Sequence, residues 1–299
     1  MAPRKRTPIL LAGVCALLAA AAVAVVALAA GRPREPPERP ARVVHADRFD
    51  ANRAWAELRR EVELGPRSAG SAQLRALARR LRDALPHGRL EPVPGHPGLR
   101  NVTGHLPGRG PAILVAAHYD TKDLPGFVGA NDGAAGTAAV LELARVLRTL
   151  PREREIRFAL FDGEEATDDR RPFLATGLRG SRAYEQRHRG QIGAVIVLDF
   201  IAAAPLRIRR EATSDPELWK ALRVAARRAG AGAAFPAGTN GAITDDHTPF
   251  LLHGVPAIDL IAWPYRCWHR QCDDLESVDR RSLGLSGAAV LELIRTLAG

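Results

Sequence analysis

Six short stretches of this chain place carboxylates or imidazoles where an apolar run stops. His118-Tyr119-Asp120 follows Ile113-Leu114-Val115, and Gly129-Ala130-Asn131-Asp132-Gly133 stands directly before a long helical pattern. Phe161-Asp162-Gly163-Glu164-Glu165 puts two adjacent carboxylates after an apolar strand, and Leu198-Asp199 ends the run Val195-Ile196-Val197. Thr244-Asp245-Asp246-His247-Thr248-Pro249-Phe250 and Trp268-His269 complete the series. Singly, most have ordinary readings: His118 as a satisfied structural histidine, Asp132 as a helix N-cap, His247 as a capping or core residue, Trp268 as a packed loop aromatic. Asp199 is harder to dismiss, because a buried carboxylate without a partner is costly and a nearby cation removes that cost. Adjacent side chains such as Glu164 and Glu165 point in different directions, so one can hold a metal while its neighbour faces a reacting group. Mixed oxygen and nitrogen donors suit zinc, and three of them with an open position make a catalytic rather than a structural site.

These residues need a scaffold that brings distant segments to one edge. Apolar runs predict strands at Ala112 to Ala117, Ile156 to Phe161, Ala194 to Phe200 and Ala257 to Ala262. Helical periodicity predicts helices at Arg48 to Leu64, Ser71 to Leu85, Ala134 to Leu150, Gly180 to His188, Asp215 to Ala229 and Ser282 to Leu297. Short apolar runs alternating with longer helical ones describe an α/β fold with helices on both faces of a sheet. Open sheets of this kind place their sites beyond the carboxyl ends of the strands, where all six stretches fall. No internal repeat is visible, so a single domain spans 43–299.

The first 42 residues have a different character. Ile9 to Ala30 is an unbroken apolar run behind Arg4, Lys5 and Arg6, long enough to cross a hydrocarbon core with its N-terminus in the cytoplasm. Residues 1–30 are therefore expected to form a signal anchor, although Ala27-Leu28-Ala29 also suits a cleaved signal peptide. Cys15 lies mid-run behind Val14, which argues against a lipoprotein signal. Residues 31–42, rich in proline and charge, read as a solvated linker. Both readings of the leader put the catalytic domain outside the cytoplasm, membrane-anchored or released. The net charge of +10 comes largely from arginines scattered among 33 acidic residues, without a basic stripe interleaved with aromatics, so nucleic acid is not the expected partner.

Ala117-His118-Tyr119-Asp120, Phe127-Val128-Gly129-Ala130-Asn131-Asp132 and Phe161-Asp162-Gly163-Glu164-Glu165-Ala166 together resemble the animal-type glutaminyl-peptide cyclotransferases. The resemblance continues through Gly180-Ser181-Arg182, Asp245-Asp246-His247, Trp268-His269 and Asp273-Asp274, covering the chain from about Val43 onward. Those cyclases share fold and metal ligands with the zinc aminopeptidases of peptidase family twenty-eight, which this chain also resembles. The resemblance implies a mixed, mostly parallel sheet sandwiched between helices, with one zinc on Asp132, Glu165 and His269. In the aminopeptidase relatives a second zinc sits on residues matching His118 and Asp199, with the residue matching Asp132 bridging the two. Glu164 is then the proton-transfer residue, with Asp199 and Asp245 as further catalytic carboxylates. In a cyclase Glu164 moves a proton from the α-amine of an N-terminal glutamine to departing ammonia; in an aminopeptidase it activates water against the first peptide bond. Asp245 matches a cyclase residue hydrogen-bonded into a carboxylate network with the catalytic glutamate, and Trp268 matches a substrate-contacting tryptophan. Both features favour the cyclase acting on peptide or protein N-termini.

The resemblance has gaps. The disulfide near the site of animal cyclases falls on Ala117 and Thr137, and the charged loop Asp168-Asp169-Arg170-Arg171 offers no obvious substrate aromatic other than Phe173. Cys267 and Cys272 bracket His269 and are placed to clamp its loop by a disulfide in an oxidising compartment, with free thiols or metal binding as the alternatives. A silent anchored ectodomain of the same fold would be expected to have lost Glu164 or a ligand, and a serine hydrolase would need a Gly-x-Ser-x-Gly elbow that the chain lacks.

Overall fold

The computed structural model describes residues 48–299. The expected anchor at 1–30 and linker at 31–42 lie outside them, and among the described residues no helix is long and apolar enough to cross a membrane.

Six strands form one mixed sheet: β1 (Arg89–Pro92), β2 (Arg100–Leu106), β3 (Arg109–His118), β4 (Arg154–Phe161), β5 (Ile192–Asp199) and β6 (Ala257–Ile261), in the order β1-β2-β4-β3-β5-β6. The pairs β3–β4, β3–β5 and β5–β6 are parallel, whereas β1 and β2 add an antiparallel edge against β4. Side chains alternate across β3: Ile113, Val115 and Ala117 enter the larger hydrophobic core on one face, and Leu114 and Ala116 enter a smaller one on the other. A strand buried on both faces reads as a continuous apolar run rather than an alternating one, which is why β3 to β6 were visible in the sequence. The edge hairpin was not expected, because β2 carries Asn101, Thr103 and Gly104 among its inward positions.

Helices α1 (Ala51–Glu63), α2 (Ala72–Ala84), α3 (Ala135–Leu147), α4 (Arg179–His188), α5 (Pro216–Arg228) and α6 (Arg280–Ala298) cover the sheet. Their starts follow capping chemistry: Asp50 accepts from the Asn52 amide, Ser71 from Leu74, Asp215 from Leu218 and Asp279 from Arg281, each relieving an otherwise unpaired N–H of the first turn. The larger core contains residues of α1, α2, α3, α5 and α6, and Tyr184 of α4 packs with Phe161 and Phe250 in the smaller. After β3 the chain pairs to one side with β4, and β5 returns to the other side of β3. Such a reversal opens a crevice at the carboxyl ends of the central strands. His118 ends β3 and Asp199 ends β5, so both stand at that crevice.

Candidate metal centre

Asp132 lies between two groups of donors. Its Oδ1 is 3.3 Å from His118 Nε2, which is itself 3.5 Å from Asp199 Oδ1. Its Oδ2 faces His269 Nε2 at 3.8 Å, and that nitrogen is 3.2 Å from Glu165 Oε2. One carboxylate therefore turns one oxygen to His118 and Asp199 and the other to Glu165 and His269, and each trio is compact enough to hold an ion. Asp132 Oδ2 and Glu165 Oε1 are buried with no hydrogen-bond partner among the described residues. Orphaned buried carboxylate oxygens beside imidazole nitrogens are the donor set a divalent cation satisfies.

Electrostatics lead to the same reading. Burial alone would depress His118, but the carboxylates of Asp120, Asp132 and Asp199 outweigh it and hold the imidazole well above its usual range. Burial pushes Asp199 up to about 8, against the opposing pull of His118. Burial likewise raises Glu165, with Asp132 adding repulsion, and raises Glu164 well above the carboxylate range. His269 rises because Glu165 and Asp132 outweigh its own desolvation. Each acid competes for a proton in place of positive charge, and a dication supplies that charge without one.

The backbone around the centre is shaped to the same end. Asp132 does not cap α3: it sits in a kinked turn, Ala130–Ala134, at φ −88° and ψ 89°, and the cap position Ala134 makes no side-chain bond. Gly129, at φ +52°, begins that turn, and a Cβ there would lie 2.3 Å from the Asp132 carbonyl oxygen. Asp273 accepts from the Asn131 and Asp132 amides at 2.9 and 3.1 Å, fixing the turn from the His269 side. Cys267 and Cys272 are joined by a disulfide, which encloses His269 in a loop where that residue has φ +52°. A histidine in the left-handed region is uncommon, and such strain persists where surrounding structure enforces it.

A cavity of about 330 Å³ opens over the cluster, walled by Phe173, Phe200, Ile243, Trp263 and Trp268, with Asp132, Glu164, Glu165, Asp199, Asp245 and His269 also on its lining. Every residue expected at the site except His118 is therefore on this lining, and His118 lies beneath it, 2% exposed. Trp268 is 46% exposed, packs on His269 with ring centroids 4.5 Å apart, and meets Trp263 edge-on. Phe173, the only aromatic candidate in its charged loop, does reach the cavity. At the positions of the animal-cyclase disulfide, Ala117 is buried and the Thr137 hydroxyl donates to the His118 carbonyl at 3.0 Å, tying α3 to the end of β3.

Around the cluster, Arg67 and Lys122 had escaped the sequence reading, and Asp120 stood in its first stretch without an assigned role. Asp120, fully buried, accepts from the Glu164 and Glu165 amides at 3.2 and 3.3 Å and faces His118 Nδ1 at 3.7 Å. Lys122 Nζ donates to the Ala166 carbonyl, is ion-paired with Asp169, and stands 4.0 Å from Glu165. Arg67, fully buried, donates to the carbonyls of Tyr119, Val128 and Gly129 and so binds the ends of two site loops together. His247 does not join the Asp132 cluster: its Nε2 contacts Glu211 at 3.1 Å and Thr213 at 3.0 Å. Its Nδ1 turns toward Asp259, forming with Asp245 a third compact donor group. Burial raises the proton affinity of Asp259 well above the usual carboxylate range, with Asp245 as a repelling neighbour. An aspartate at the centre of the apolar run Ala257–Ile261 was the signal that could have revealed this group.

The fold and the cluster define an α/β enzyme with a carboxylate and histidine centre of the metal-binding type at the carboxyl edge of its sheet. Residues 101–294 match the family described as Peptidase family M28, and the chain belongs to that family. It is 29% identical over 207 residues to aminopeptidase YwaD of Bacillus subtilis, covering 61% of this chain and 41% of that protein. It is 28% identical over 221 residues to the glutaminyl-peptide cyclotransferase of Drosophila melanogaster, covering 63% of this chain and 62% of the relative. The chain thus spans less than two thirds of the length of either curated relative. Among solved structures, the glutaminyl cyclase of Porphyromonas gingivalis superposes with a TM-score of 0.74 at 27% identity, over 84% of this chain and 100% of that one.

Proposed function

We propose that this chain is a zinc-dependent glutaminyl-peptide cyclotransferase, converting N-terminal glutamine of peptides or proteins to pyroglutamate with release of ammonia. The observation that carries the reading is Glu164: a buried carboxylate on the cavity lining, next in sequence to the donor Glu165, whose raised proton affinity suits a group that accepts and returns a proton. Asp132, Glu165 and His269 would hold one zinc, and His118 and Asp199 are placed for a second beside Asp132. Bound there, zinc supplies Lewis acidity toward the substrate's side-chain amide carbonyl. Glu164 takes a proton from the α-amine as that nitrogen bonds to the amide carbon, and gives it to the amide nitrogen as the bond to ammonia breaks. Asp245 and Asp199 share its lining, and repulsion from Asp245 adds to the burial that raises the proton affinity of Glu164. Trp268 and Phe173 form apolar walls that orient the terminal residue and exclude water, which a cyclisation needs and a hydrolysis does not.

Aminopeptidase activity is the second reading, supported by the second donor trio at His118, because two-metal sites are suited to delivering water. Glu164 would then take its proton from water rather than from the α-amine. Purified full chain, tested on an N-terminal glutaminyl peptide and on a leucyl anilide with metal measured on the same sample, separates the two. Ammonia release without anilide cleavage supports the cyclase, and the reverse outcome supports the peptidase. Glu164→Gln is expected to lower either activity by a factor of about 10² to 10⁴ while bound zinc stays nearly unchanged, and retained turnover contradicts the assignment. We further propose that the catalytic domain works outside the cytoplasm behind an N-terminal anchor. The apolar run Ile9 to Ala30 and the Cys267–Cys272 disulfide, at home in an oxidising compartment, support that placement.

A further inference from the structure

Beside the catalytic cavity lies a second concavity of about 450 Å³, and Trp263 is a wall of both. Arg207, Arg209 and Arg266 line it, all three exposed. None of the three guanidinium groups forms a hydrogen bond or ion pair with a described residue, which also holds for exposed arginines such as Arg53, Arg79 and Arg228, so what sets these three apart is their convergence on one concavity that shares a wall with the catalytic cavity. Glu276 also lines the concavity, so its charge balance is three arginines against one glutamate. The wall shared with the catalytic cavity is braced on several sides: the Asn240 amide donates to the Trp263 carbonyl at 2.9 Å, and Trp263 stacks on Phe200 and meets Trp268 edge-on. Uncommitted guanidinium forks match carboxylates in a planar, two-point geometry.

We propose that this concavity is a subsite for acidic side chains in the second to fourth residues of the peptide whose N-terminus occupies the metal centre. The preferred substrates are then peptides with aspartate or glutamate directly behind the terminal residue. Three extended residues reach about 10 Å, enough to pass from one cavity to its neighbour around a shared side chain. The inference rests on the reading of the metal centre as acting on peptide N-termini, and holds for cyclisation and for hydrolysis alike.

The test compares two amidated peptides, Gln-Ala-Ala-Ala and Gln-Glu-Ala-Glu, on the full chain. At low ionic strength the acidic peptide is expected to have a kcat/KM about tenfold higher, as two exposed carboxylate–guanidinium pairs near the upper end of their usual strength would give. In about 1 M NaCl, where the screening length is about 3 Å, the advantage falls below about twofold. The triple variant R207Q/R209Q/R266Q is expected to lose the preference and to process the neutral peptide at the native rate. Equal kcat/KM for the two peptides, or a preference surviving in the triple variant, overturns the subsite. Dissociation constants of both peptides measured on Glu164→Gln decide the matter even where neither is turned over. Turnover of the neutral peptide by the native chain separately decides the underlying function.

Discussion

Asp120→Asn isolates the group that couples the proposed proton-transfer glutamate, Glu164, to two of the candidate metal donors, His118 and Glu165, without itself belonging to either donor trio. The Asp120 carboxylate is fully buried, accepts from the backbone amides of Glu164 and Glu165, and lies 3.7 Å from the ring nitrogen of His118 opposite the cluster. Asparagine preserves the volume but keeps one acceptor oxygen, so one of the two amides is left facing an N–H. A hydrogen bond to a charged acceptor is worth about 1.5–3 kcal/mol, and about 1.4 kcal/mol is a factor of ten in affinity. Zinc affinity is therefore expected to fall about 10- to 100-fold, the range seen when groups that orient metal ligands are removed. Competition against a chromophoric chelator of known zinc affinity measures this directly, with circular dichroism confirming an unchanged fold. A folded Asp120→Asn chain that binds zinc within about threefold of the native affinity refutes the idea that this carboxylate positions the ligands.

Glu61 on α1 gives a pH prediction away from the centre. Both of its oxygens lack a hydrogen-bond partner among the described residues, and burial pushes it up from 4.5 to about 8. Between those values the folded chain holds a proton that the unfolded chain has lost, so stability falls as pH rises through this window, by at most about 5 kcal/mol. Glu61→Gln should show a higher urea midpoint than the native chain at pH 9 and a similar one at pH 4; equal midpoints at pH 9 contradict it. Replacing both Cys267 and Cys272 by serine opens the six-residue loop that carries His269, costing about 2 kcal/mol by loop entropy. Zinc affinity should drop several-fold with helix content unchanged, and unaltered affinity shows that the disulfide does not hold the ligand.

The sequence was most legible where burial was uniform. Strands β3 to β6 are apolar on both faces and announce themselves, and the acids that follow them mark the sheet's carboxyl edge. The β1–β2 hairpin was hidden because its interior positions are polar and satisfied by specific bonds, with Asn101 donating to the Gly180 carbonyl and Thr103 to Glu91. Its place in the sheet depends on tertiary partners that no local pattern encodes. At the site, residues on strand ends were readable from chemistry, whereas His269 and Asp245 sit on loops, where their residue types marked them as candidates and only the resemblance gave them roles. Arg67 and Lys122 gave no signal, since one charged side chain among 43 lysines and arginines cannot be told from a solvated one until its burial is known. Asp132 inverted its simplest reading: a carboxylate before a helix looked like a cap, and the kinked turn instead directs it toward two histidines.

The most direct test of a zinc centre at this edge is anomalous X-ray scattering from crystals of the full chain, recorded on both sides of the zinc absorption edge. The account predicts a zinc peak about 2.0–2.2 Å from a carboxylate oxygen of Asp132, one of Glu165 and a ring nitrogen of His269. Stoichiometric zinc whose peak lies elsewhere, such as among Asp245, His247 and Asp259, would contradict it.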